Sequence, residues 1–290
     1  METGLPVSIM NSATDGDDQD IRRLQLPLET LRVLQITDTH LYAEPKARLL
    51  GVNTLDSFHA VIDTFKTAEW QPDLVLATGD LVHDASPSGY QGLARLLNHF
   101  ERPVLCLPGN HDIPPVMQEH LASEHVSTPK VVDIGAWRFV MLDSVIPGEV
   151  GGHLADSELQ HLRDALTDND RPTLVCLHHQ PVPVGSQWID SMGLDNADAF
   201  MAIIEQAPSV RGVLWGHVHQ HYDQVHKGVR LMATPSTCVQ FATHSDDFAV
   251  DDAPPGFRLL ALTPDGGIHS QVIRTPEMPE GLDLVSVGYK

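Results

Sequence analysis

The sequence predicts an α/β fold with its sheets covered by helices. Three observations carry this expectation. Short apolar runs alternate along the chain with stretches whose apolar residues repeat at helical spacing. There is no internal repeat and no Gly/Ser linker, so one domain holds them all. Most of the runs stop at a cluster of carboxylate, imidazole or amide groups, and in folds of this class sites form at the carboxyl ends of strands.

The elements follow in order. "RVLQIT" (32–37) reads as the first strand. Leu55, Phe58, Val61, Ile62 and Phe65 then fall on one helical face, with Thr54 as the expected cap. "DLVLAT" (73–78) is the second strand, and Tyr90, Leu93, Leu97 and Phe100 form the next helical stripe. "PVLCL" (103–107) and "WRFVML" (137–142) are strands. Leu159, Leu162 and Leu166 mark a helix expected to be capped by Asp156. "TLVCL" (173–177) precedes a helix carrying Phe200, Ile203 and Ala207, and "GVLW" (212–215) ends the series. "FRLLAL" and "IHSQVI" flank "TPDGG" as strand, turn and strand. The β-α-β-α order argues for parallel pairing. The expected organisation is an acidic flexible leader over 1–28, one domain over 29–275, and a partly ordered tail over 276–290.

Composition narrows the partners. Of 290 residues, 42% are apolar and 20% charged, as in an ordinary soluble protein. A net charge of −21 repels nucleic acid and anionic membranes, so neither is expected as a partner. A phosphate can still bind where bound cations invert the local field. The N-terminus lacks a signal-peptide pattern and no stretch suits a bilayer span. Cys106, Cys176 and Cys238 sit in apolar runs without a C-x-x-C, which reads as buried reduced thiols in a cytoplasmic protein.

The chemistry lies at the strand ends. "VLQIT" is followed by Asp38 and His40, "LVLATG" by Asp80, and "VLCLPG" by Asn110, His111 and Asp112. "TLVCL" is followed by His178 and His179, and "GVLWG" by His217 and His219. A lone D-x-H or H-x-H is weak, being common as surface or strand-face chemistry. The five together, in this order, point to a two-metal hydrolytic site. Oxygen and imidazole donors without thiolate favour iron, manganese or zinc. The glycines before Asp80, Asn110 and His217 allow sharp turns and close approach.

The string D-x-H, G-D, G-N-H-D, H, G-H-x-H resembles the calcineurin-like metallophosphoesterases. "LQITDTHL", "LLGVNT", "LHHQPVPVGSQW" and "LMATPSTCVQF" are similar to their bacterial class III 3′,5′-cyclic-AMP phosphodiesterase branch, from about Arg32 to Arg274. The resemblance implies a sandwich of two mixed β-sheets flanked by helices. It implies two metal ions, Fe(2+) first and Mn(2+) or Zn(2+) as alternatives. Asp38, His40, Asp80 and His219 would hold one, and Asp80, Asn110, His178 and His217 the other, with Asp80 bridging. His40, Asp80, Asn110, His111 and His219 would meet the substrate. His111 would act on the leaving oxygen, and Asp80 and His111 would carry the catalysis.

The implied reaction is hydrolysis of 3′,5′-cyclic AMP to 5′-AMP, lowering a cytoplasmic signal, with a cyclic nucleotide as partner. Alternatives are a relative acting on glycerophosphodiesters or 2′,3′-cyclic nucleotides, or a non-catalytic scaffold of the same fold. Nothing in the sequence speaks to an oligomeric state. One departure stands out: the family's G-D-x-x-D reads G-D-L-V-H-D here, which places Asp84 one residue late. His178 is preferred over His179 because it comes first after the apolar run, while neighbours on a strand point to opposite faces. The eleven histidines outside the motifs, His83 among them, read as structural or surface residues. Trp188 reads as packing, with stacking on a purine as the rival.

Overall fold

Two six-stranded mixed sheets pack face to face in the computed structural model, which describes residues 20–288. The first sheet runs in the order Ile268–Arg274, Gly256–Leu262, Leu31–Ile36, Leu74–Thr78, Val104–Leu107, Val126–Ser127. The second runs Tyr222–His226, Val229–Ala233, Val210–Trp215, Thr173–Cys176, Trp137–Met141, Val131–Ile134. The interior pairings around Leu74–Thr78 and Thr173–Cys176 are parallel, as the β-α-β order requires. Hairpins make the sheets mixed: Gly256–Arg274, Tyr222–Ala233 and Val131–Met141 each pair antiparallel with themselves. The element order accounts for the parallel interior pairs, and the two mixed sheets are those expected from the family resemblance.

The strands are apolar on consecutive residues because both faces are covered. Val33, Leu74, Leu76, Leu105 and Leu107 meet Trp137, Phe139, Leu174, Leu214 and Met232 across the interface between the sheets. The alternating residues Leu34, Ile36, Val75, Ala77 and Cys106 face the other way, onto helices. Those helices are Thr54–Thr67, Pro87–Asn98 and Pro114–Leu121, which bury Phe58, Val61, Phe65, Tyr90, Leu93, Leu97 and Met117. Asp156–Leu166 and Ala197–Gln206 cover the second sheet with Leu159, Leu162, Phe200 and Ile204. Fully buried Arg258 ties the sheets together. It donates to Thr234 Oγ1 at 2.9 Å and pairs with Asp223 at 2.9 Å.

Two caps differ from expectation. Asn53 caps the first helix, its Oδ1 accepting from the Asp56 amide at 2.9 Å, and Thr54 is the first helical residue. Asp156 lies inside its helix, where Ala155 occupies the cap position without a side-chain bond. Its carboxylate still sits in the first turn, where the helix dipole favours negative charge. Of the expected leader, residues 1–19 lie outside the described residues. After them, Ile21 is buried in the core under the first sheet and its amide donates to Gln271 Oε1 at 3.3 Å, while Leu28 and Glu29 are exposed. At the other end the Asp283 amide donates to the Leu50 carbonyl at 2.9 Å and Leu282 packs against Leu49 and Val52. Among the described residues no helix is long and apolar enough to cross a membrane.

Candidate metal centre

The strand ends of both sheets meet along one edge of the sandwich. Asp38, His40, Asp80 and Asn110 follow strands of the first sheet; His178, His217 and His219 follow strands of the second. The chain leaves each strand abruptly. Asp38, His40, Asp80, His217 and His219 all have positive φ, between 43° and 65°. Residues with a Cβ adopt that conformation at a cost of about 1 kcal/mol or more each, and such strain collects at functional sites. Glycine is required beside them. A Cβ on Gly79 would lie 2.2 Å from His178 Nδ1, and one on Gly216 2.6 Å from Asp38 Oδ2.

The donor atoms converge. His178 Nε2 lies 3.4 Å from Asp80 Oδ2, 3.9 Å from Asp38 Oδ1 and 3.2 Å from Asn110 Oδ1. His219 Nε2 lies 3.4 Å from Asp38 Oδ1 and 3.2 Å from His40 Nε2. His40 Nε2 is 3.7 Å from Asp80 Oδ2. His217 comes within reach of His178 and His179, and its buried Nε2 has no hydrogen-bond partner. All these side chains except Asn110 are buried.

The outer ring nitrogens explain why the inner ones point inward. His178 Nδ1 lies 3.0 Å from the Thr78 carbonyl and His219 Nδ1 2.8 Å from the Val239 carbonyl. A carbonyl only accepts, so each Nδ1 donates to it, which turns each Nε2 toward the centre. His179 is spent differently. Its Nδ1 is 2.8 Å from Ser144 Oγ and its Nε2 3.0 Å from the Val150 carbonyl.

Electrostatics ask for a cation here. Burial pushes the imidazoles of His40 and His217 well below their ordinary range, so both rings are neutral. Burial also depresses His178, but Asp80, Asp38 and the Thr78 carbonyl outweigh it and raise the group to about 9. Burial would lift the Asp80 carboxyl, yet His178, His111 and His40 hold it well below its usual range. Orphaned His217 Nε2, the facing Nε2 atoms and an all-nitrogen-and-oxygen donor set fit transition-metal ions. Thiolate is absent from the set: burial pushes the Cys238 thiol up to about 12, and all three cysteines are free and buried.

The "GNHD" turn has two roles. Asp112 faces inward and holds the turn: its carboxylate accepts from the amides of Leu81, Val82 and Gly109 at 3.0, 3.1 and 2.9 Å and from the Tyr90 hydroxyl at 2.9 Å. His111 is half-buried at the rim, its amide donating to Asp80 Oδ1 at 2.8 Å. Asp84 takes no part in the cluster. It accepts from the Ala43 amide at 3.0 Å and from the amide and hydroxyl of Ser86 at 3.1 and 2.7 Å.

His83 corrects the sequence reading. Grouped there with structural and surface histidines, it stands in the site, with Nδ1 2.9 Å from His40 Nδ1 and its ring stacked on His111. A histidine three residues past the strand-end aspartate was the only signal for it. The "ATPSTCVQF" segment braces the site from behind. Ser236 Oγ donates to the Asp38 carbonyl at 2.8 Å, and Phe241 stacks on His219 with ring centroids 4.3 Å apart. Trp188 packs edge-on against Phe241 and Phe248, at 5.0 and 5.1 Å.

Comparison with known proteins agrees with this geometry. The family model described as calcineurin-like phosphoesterase matches residues 31–221. The 3′,5′-cyclic adenosine monophosphate phosphodiesterase CpdA of Vibrio vulnificus is 44% identical over 262 residues, covering 90% of this chain and 96% of that protein. CpdA of Pseudomonas aeruginosa is 40% identical, covering 89% of this chain and 94% of its own. Among solved structures, a dimetal phosphatase from Danio rerio shares the fold with a TM-score of 0.59 at 15% identity, covering 84% of this chain and 99% of its own. Ordered strand ends, converging donors and a family match across both sheets lead to one assignment: the chain belongs to the calcineurin-like phosphoesterase family.

Proposed function

We propose that this protein hydrolyses 3′,5′-cyclic AMP to 5′-AMP in the cytoplasm, using two transition-metal ions, iron(II) first and manganese or zinc as alternatives. The observation that carries the reading is the convergence of His178, His219, His40, Asp38 and Asp80, linked by a series of 3.2–3.9 Å approaches, on a matching fold. Its closest substrate argument is the set of cyclic-AMP phosphodiesterases that are 40–44% identical over some nine-tenths of the chain. In this reading Asp38, His40, Asp80 and His219 hold one ion, and Asp80, Asn110, His178 and His217 the other. When bound, such ions acidify water to near neutrality and neutralise phosphoryl charge.

The chain's own groups do the rest. Water attacks phosphorus and gives up a proton to solvent; a new P–O bond forms and the bond to the ribose 3′-oxygen breaks. The Asn110 side chain, beside His178 at the rim, donates from its amide nitrogen to a phosphoryl oxygen as charge grows there. His111 delivers a proton to the departing 3′-oxygen. The Asp80 carboxylate holds the backbone of His111 at 2.8 Å, which fixes that ring relative to the centre. Asp112 keeps the turn from relaxing.

A chelator should remove the metal and the activity together, and iron(II) or manganese should restore both. The restored enzyme should release 5′-AMP from cyclic AMP in preference to hydrolysing 2′,3′-cyclic AMP or a glycerophosphodiester. Full activity in a rigorously metal-free sample would sink the metal reading. Preference for either of the other esters would replace the substrate while leaving the chemistry in place.

A further inference from the structure

His83 stands beside the converging donors, against both His40 and His111. Its backbone is pinned where the two strand ends continue past the sheet: its amide donates to the Leu41 carbonyl at 2.7 Å, next to a parallel bridge between Leu41 and Val82. Its ring stands in a column. Tyr42 lies on one side at 4.9 Å, and His111 stacks on it at 4.3 Å with the planes 21° apart. Its Nδ1 is 2.9 Å from Nδ1 of buried His40.

From this geometry we propose that His83 is a positioning residue with two jobs: it holds His40 in its ligating tautomer and it sets the ring plane of His111. The first job follows from comparing three imidazoles. His178 and His219 each have Nδ1 held by a backbone carbonyl, which leaves Nε2 for the centre. His40 faces the same centre through Nε2, and its Nδ1 meets His83 Nδ1. With His83 accepting, His40 carries its proton on Nδ1 and keeps the Nε2 lone pair inward. His83 thus does for His40 what a carbonyl does for the other two. Partners of this kind orient a metal ligand, and losing one costs about 10–100-fold in metal affinity.

The second job follows from the column. His111 is half-buried on a turn, and one face of its ring lies against His83. Rings at 4–5 Å hold each other in offset or stacked geometry. A third metal on His40, His83 and His111 fits less well, although their nitrogens lie within 4.8 Å of one another. Rings stacked 21° from parallel aim their in-plane lone pairs alongside each other and not at a common point.

The inference rests on the metal-centre reading, and two variants separate the jobs. His83→Phe keeps a flat ring between Tyr42 and His111 but offers His40 no acceptor. It should lose metal to a chelator at about 10–100-fold lower concentration than the parent. Once reloaded, it should keep the parent ratio of turnover on cyclic AMP to turnover on bis-p-nitrophenyl phosphate. His83→Gln keeps an acceptor but removes the stacked ring. It should hold metal like the parent and lose kcat on cyclic AMP by up to about 10²-fold, with a smaller loss on the nitrophenyl ester and little change in KM. Parent-like chelator curves and substrate ratios in both variants would overturn the proposal. So would equal losses of thermal stability, metal and both activities, which would mean that His83 only packs. The chelator arm needs no substrate, so a chain that binds metal but leaves cyclic AMP intact would fail the proposed function and not the role of His83 toward His40.

Discussion

His111→Ala is expected to retain its metal and to lose about 10²–10⁴-fold in turnover of cyclic AMP, the usual size of a general-acid contribution. The reason lies in the leaving group. A ribose 3′-alkoxide is strongly basic and departs with a proton, whereas a nitrophenolate departs unaided. On bis-p-nitrophenyl phosphate the same variant should therefore lose far less. The position of the ring agrees with this role: His111 is half-buried at the rim, and its backbone amide donates to Asp80 Oδ1. The check is metal content alongside kcat on the two esters. Equal slowing on both, with metal intact, would make His111 a stabiliser of charge and not a proton donor. Loss of metal would make it a ligand.

Asp80→Ala should abolish binding of both ions, while His219→Ala should weaken mainly one. Asp80 Oδ2 lies 3.4 Å from His178 and 3.7 Å from His40, so its carboxylate faces imidazoles from the two sheets at once. Removing it also withdraws the negative charge that outweighs burial at His178. Metal ions supply several kcal/mol of transition-state stabilisation, and about 1.4 kcal/mol is tenfold in rate, so turnover should fall by more than about 10³-fold. Elemental analysis of the purified variants decides it. Asp38 offers the test its rival, because its Oδ1 also reaches imidazoles on two sides, His219 at 3.4 Å and His178 at 3.9 Å. Retention of one ion by Asp80→Ala, with loss of both from Asp38→Ala, would move the bridge to Asp38.

What could be read in advance followed the physics of burial. The strands around Leu34, Val75, Leu105, Val175 and Val213 are apolar on successive residues because helices and a second sheet cover them, and the pattern shows in the sequence. Tyr222–His226 was missed because its side chains are exposed or half-buried and leave no apolar trace. The Asn53 cap was displaced by one residue because Asn and Thr adjoin there and both cap helices. At the site, residues that end strands were legible, since strand ends are visible as the place where apolar runs stop. His83 was not: its role comes from a backbone bridge between Leu41 and Val82, forty-one positions apart, and no local pattern records that. In the sequence, His178 is preferred over His179 from its place after the apolar run; the carbonyls of Thr78 and Val150, which the two rings meet, are a matter of tertiary placement.

The donors divide between two sheets, four side chains from one and three from the other, so the centre is a joint and not a pocket in a single wall. Variation in this gene should be interpreted accordingly. Inactive alleles will fall into two populations, one at the donors and one along the seam where Leu105, Leu107 and Leu76 meet Trp137, Phe139 and Leu214. The seam alleles keep every donor and lose stability of the packed sandwich that aligns them. A metal that binds only the folded chain stabilises it by mass action, so surplus metal in the growth medium is expected to restore part of the seam class and to leave the donor class inactive.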